Sequence, residues 1–99
     1  MTVWHRQSGD VGDTVEPFLD GISTLVGATA VTATVDGCDG GPVTLTGSVL
    51  NPVNPQVRIG LDPWLATAAQ GDWNTVFHVF FGATRLTWPS RGHDTIRVT

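Results

Sequence analysis

The chain has no lysine, a single cysteine (Cys38), and few charges of either sign. Each shortage excludes something. A lone cysteine cannot form an intramolecular disulfide, so the fold must hold with a free thiol. Five arginines are the only cations; no two are neighbours, and the net charge is −4. Tracking a phosphate backbone needs a basic patch, so nucleic acid is not an expected partner. No stretch approaches the roughly 20 apolar residues of a membrane helix, and His5 and Arg6 break any early apolar signal run. A chain made in a reducing cytoplasm, with no membrane partner, is the expectation.

The charged fraction of 14% is low for a domain that must stay soluble alone. Two readings fit. One is codon bias in a GC-rich genome, which favours Arg, Ala, Gly, Val and Thr. The other is a subunit that spends its life inside an assembly.

What is present is ordinary globular material, 40% hydrophobic over 99 residues. That suits one domain, residues 1–99, with a core needing neither metal nor disulfide. The clearest signal is residues 71–89. Trp73, Thr75, Phe77, Val79 and Phe81 alternate with Asn74, Val76, His78 and Phe80. Gly82 then marks a tight turn, and a returning strand brings Leu86 and Trp88 to the same core face before Pro89. The first set faces inward, since Asn74 and His78 are the costlier groups to bury.

Shorter alternations surround this hairpin. Val31, Ala33 and Val35 share a face, as do Val43, Leu45 and Val49, then Val57, Ile59 and Leu61, and finally Ile96 and Val98. Residues 2–6 form a loose first strand; residues 14–19 form an edge strand or irregular arm, because Pro17 removes a ladder donor. Residues 63–70 are ambiguous. Asp62 as N-cap, Pro63 as first residue and Gly71 as stop would make a short helix, and a strand fits equally. Seven or eight short strands between turn signals predict an all-β fold, a single antiparallel β-sandwich of Ig-like type.

The chemical inventory is thin. His5, His78 and His93 lack metal-ligand spacing. Asp36-Gly37-Cys38-Asp39-Gly40 is a weak echo of a calcium loop without its closing Glu, and reads as a turn. Cys38 has no base beside it, and Ser8 and Ser90 lie in no nucleophile motif. No cofactor, metal or catalytic residue is expected, and no enzyme. Contact residues are easier to nominate. Trp4 and Trp64 lie in less constrained segments, where an exposed Trp would be an interface anchor or a sugar-stacking platform. Val76, His78 and Phe80 form the face of the long strand opposite the core, a patch for a neighbouring subunit.

Several segments occur in a recognisable order: Gly9-Asp10 (or Gly12-Asp13-Thr14), Asp20-Gly21, Pro42-Val43-Thr44-Leu45-Thr46-Gly47, and Gly71-Asp72-Trp73. Arg85-Leu86-Thr87-Trp88-Pro89-Ser90-Arg91-Gly92 and Thr95-Ile96-Arg97-Val98 complete it. This resembles the small β-sandwich domain at the N-terminus of upper baseplate (BppU-type) proteins of long-tailed bacteriophages, and related stand-alone virion proteins. Residues 51–54 and 62–70 have no counterpart in the pattern. The resemblance implies a virion structural protein made in the host bacterial cytoplasm. It would contact tail, baseplate or major capsid proteins, in many copies or as a homo-oligomer. A carbohydrate-binding or adhesion module built on exposed Trp residues is the alternative.

Overall fold

Val31, Ala33 and Val35 alternate with Thr32 and Thr34, and β-branched residues at this period favour a strand with one apolar face. The computed structural model describes residues 2–37 and 40–99, and in it this stretch lies within β3 (Ala30–Gly37). Around it run β1 (Val3–Arg6), β2 (Thr14–Val15), β4 (Gly40–Asn51), β5 (Gln56–Gly60), β6 (Gly71–Phe81), β7 (Thr84–Trp88) and β8 (Asp94–Val98). A single helical turn, α1 (Trp64–Thr67), joins β5 to β6. Cys38 and Asp39, and with them the comparison to a calcium loop, lie outside the described residues.

The protein is all-β. Its strands belong to one hydrogen-bonded sheet in the order β1-β8-β6-β3-β4-β5-β2, which curls into a nearly barrel-shaped body. β6 organises it. One edge pairs with β3 over almost its full length; the other is divided, with residues 71–75 on β8 and residues 77–81 on β7. The β6–β7 turn is the two residues Gly82-Ala83, and Gly82 has φ +60°, as the first position of a type II′ turn requires. The sheet's two end strands meet through Arg6. Its Nη2 donates to the Thr14 carbonyl at 2.9 Å, and its Nε lies 2.9 Å from Asp13 Oδ2, a charge contact rather than a hydrogen bond.

Four expectations are corrected. The sheet is not wholly antiparallel: β1 runs parallel to β8, with Val3 opposite Thr95 and Arg6 opposite Val98. Alternation tells which face a residue takes, not the direction of its neighbour, so the sequence was silent here. Leu86 faces inward opposite Val79 but is 39% exposed, because β7 pairs with β6 alone and overhangs the core. Asp62 caps no helix; both of its carboxylate oxygens accept the Gly12 amide, at 3.0 and 2.9 Å. Trp64 is not a surface residue. It is buried in α1 and packs edge-on against Trp73, centroids 5.2 Å apart.

Two glycines show how tightly the layers approach. Trp73 lies across from Gly37, and a Cβ there would stand 2.5 Å from the indole. A Cβ on Gly47 would run into the Arg58 carbonyl and the Ile59 side chain on β5. Gly60 has no such crowding. Gly47→Ala should therefore cost about 1–3 kcal/mol, as overpacked core positions do. Gly60→Ala should stay within about 0.5 kcal/mol. Urea unfolding of the two variants checks this, and equal midpoints would refute the tight approach.

Candidate functional site

The arm after β2 cannot continue as a strand because Pro17 lacks an N–H, but its carbonyls still need donors. It finds them on and beside β5. Val57 donates to the Pro17 carbonyl (3.2 Å), Gln56 Nε2 to the Glu16 carbonyl (3.1 Å), and Leu19 in turn donates to Pro55 (2.8 Å). Leu19 is thereby buried, while Phe18 is left half exposed. On the other side Trp88 Nε1 donates to the Asp20 carbonyl at 3.2 Å, fixing the end of β7 to the arm.

Between these walls lies a cleft of about 360 Å³, lined by Thr2, Trp4, Glu16, Pro17, Phe18, Asp20, Trp88, Pro89 and Asp94. Trp4 and Trp88 are held from behind by the same ring. Phe77 lies 5.8 Å from each, edge-on to Trp4 and tilted to Trp88. The cleft's charged side chains are acidic. Glu16 is paired with Arg58 at 2.6 Å. Asp94 is 1% exposed; its Oδ1 accepts the Thr2 amide at 2.9 Å, and its Oδ2 has no hydrogen-bond partner among the described residues. A smaller groove of about 210 Å³ lies over Gly47 and carries no charged residue.

Of the nominated contact residues, Trp4 lines the cleft and Trp64 belongs to the core. Val76, His78 and Phe80 stand together on the outer face of β6, each half-buried, opposite Thr34, Thr32 and Ala30 of β3. They do not share a surface with Trp4, which faces the inner side. His78 Nδ1 shares a hydrogen bond with Thr87 Oγ1 at 3.2 Å. Away from both, Arg97 grips Asp72 at 2.7 and 3.2 Å, and this hydrogen bonding holds the Asp72 carboxyl below the usual carboxylate range.

The sequence reading missed Phe18, Glu16, Asp20 and Asp94, and placed Trp88 in the core only. One signal was available. The alternation of Val98 and Ile96, extended one step back, puts Asp94 on the inward row, where a carboxylate is out of place. Among the described residues no three His, Cys, Asp or Glu side chains gather as a metal site would require.

No family model, curated protein or solved structure matches this chain.

Partial burial, and then the charge of Arg85, push the His78 pKa below 6.5. The unfolded chain thus takes up the proton more readily than the folded one. Stability contributed by neutral His78 is intact above 6.5 and declines as pH falls from there toward the folded-state value. NMR titration should give a His78 midpoint below that of a free histidine. His78→Gln should lose less stability than the parent between about pH 7.5 and about pH 5 in urea unfolding; identical losses would refute the assignment.

Proposed function

We propose that this chain is a non-enzymatic structural component of a bacteriophage virion. It acts through protein–protein contacts on the tail or baseplate, or as a minor protein decorating the capsid. The observation that carries this reading is an apolar side with large side chains facing water: Phe18, Val26, Leu50 and Val53 are 50%, 65%, 38% and 78% exposed. Phe18, Val26 and Val53 lie on segments tied together by hydrogen bonds, from Leu19 to Pro55 at 2.8 Å and from Leu25 to Pro52 at 2.9 Å, and Leu50 lies at the end of β4 just before Pro52. Exposed apolar groups on segments joined in this way suit a surface that a neighbour covers. The scarcity of charge agrees with such burial.

The segments that resemble the baseplate domain sit at structural joints. Gly71-Asp72-Trp73 opens β6, Leu86 to Pro89 closes β7, and Thr95 to Val98 lies in β8. With this reading goes the Ig-like sandwich, the curled sheet acting as two facing layers. It also includes several copies per particle, other virion proteins as partners, and the virion as location. The sugar-platform alternative has less behind it, since Trp64 is buried.

Particles purified from the encoding phage should contain this chain by mass spectrometry. The double substitution Val26→Asp and Val53→Asp, at two exposed positions, should lower its incorporation by about tenfold with the circular dichroism spectrum unchanged. Particles that lack the chain would sink the proposal.

A further inference from the structure

We propose that the cleft between β1, the 16–20 arm and the β7–β8 connection binds an organic cation, a guanidinium or ammonium group on an alkyl stem. The charge would be met by Asp94 and Asp20, and the stem would lie against Trp4, Trp88 and Phe18. The inference goes beyond an assembly role and rests on the cleft alone, so either can fail without the other.

Asp94 is the decisive group. A carboxylate oxygen stripped of water and given no donor is a costly arrangement, and folds normally avoid it. Two donors close by are committed elsewhere. The Thr75 hydroxyl, on the residue opposite Asp94 across β6 and β8, donates to the Trp73 carbonyl at 3.1 Å. His93 Nδ1 donates to the Asp94 backbone carbonyl at 3.0 Å, not to the carboxylate. No arginine or histidine lines the cleft, and Arg58 at its margin is held by Glu16. The open valence of Oδ2 is what a donor entering the cleft would meet.

The walls indicate what enters. Two indole rings and a phenyl ring attract cations through their electron-rich faces, and do so more strongly where water is partly excluded. Uncompensated carboxylates beside them favour a charged N–H donor over a neutral hydroxyl, since ionic hydrogen bonds are roughly twice as strong. The volume of about 360 Å³ is at the small end of the roughly 300–1,000 Å³ of small-molecule sites, enough for one side-chain-sized group. Such a cation has two sources, a free small molecule or an arginine or lysine side chain of a partner.

The test is a fluorescence titration of the full chain with agmatine, with the capped peptide acetyl-Gly-Arg-Gly-amide, and with neutral methyl glucoside. A saturable change in tryptophan emission is expected with at least one cation and not with the glycoside. Tighter binding of the peptide assigns the cation to a partner chain; tighter binding of agmatine assigns it to a small molecule. Asp94→Asn should weaken binding by about tenfold and Asp20→Asn by about threefold. Asp20 is exposed, so its variant decides the matter if Asp94→Asn fails to fold. Absence of saturation with both cations, competition by the glycoside, wild-type affinity in a folded Asp94→Asn, or, where Asp94→Asn does not fold, wild-type affinity in Asp20→Asn would each overturn the proposal.

Discussion

Phe77 is the contact on which the rest of the molecule depends. It sits just beyond the point where β6 changes partner, with Thr75 opposite Asp94 of β8 and Phe77 itself opposite Trp88 of β7. It is fully buried, and it touches a tryptophan from each side of that division, Trp4 of β1 and Trp88 of β7. A ring of this size at a branch point fills the gap that opens where two strands leave one edge. Aromatic pairs at these separations add about 0.5–1.5 kcal/mol each beyond the area they bury. The same ring sets the distance between the cleft's two indole walls. Core and cleft therefore share one support, and a change that loosens the first will alter the second.

Closure of the sheet has a different character. At the junction of β1 with β2, Arg6 does work that ladder hydrogen bonds do elsewhere, reaching the Thr14 carbonyl while its charge rests beside Asp13. An arginine suits the position because its planar fork presents several donors at once. The 16–28 arm then covers β5 in place of a longer β2, bringing Leu19 and Leu25 into the core from segments without regular structure. This arrangement leaves Phe18 and Val26 facing out, so one proline-interrupted segment contributes to both the apolar side and the acidic cleft.

The strands were legible in the sequence wherever one face is apolar and the other is threonine or charge. Val31 to Val35, Val57 to Leu61 and Trp73 to Val79 are buried on the expected side. What alternation cannot carry is the identity of a neighbour. Nothing in Val3 to Arg6 announced a parallel partner, and nothing in Leu86 announced that its strand would overhang. The cleft was less legible still, because its residues come from four separate segments and three of them look like turn or terminus chemistry. Trp4 was singled out for its ring and lines the cleft. Trp64 was singled out for a permissive setting, and the core absorbed it. Only Asp94, polar on an inward row, carried information about the cleft in its own position.

The parallel seam between β1 and β8 bears on how the molecule comes into being. Thr2 and Asp94 are joined by a hydrogen bond across 92 positions of sequence, and Thr99 and Arg6 are joined just as remotely. On a ribosome, β1 emerges long before its partner strand, since Thr2 and Asp94 are 92 positions apart. Until then Trp4 has no seat, β8 does not occupy its half of the β6 edge, and the cleft has no floor. Pairings so remote are slow to form and leave edges open in the meantime. The cleft thus exists only in a chain whose synthesis has run through β8.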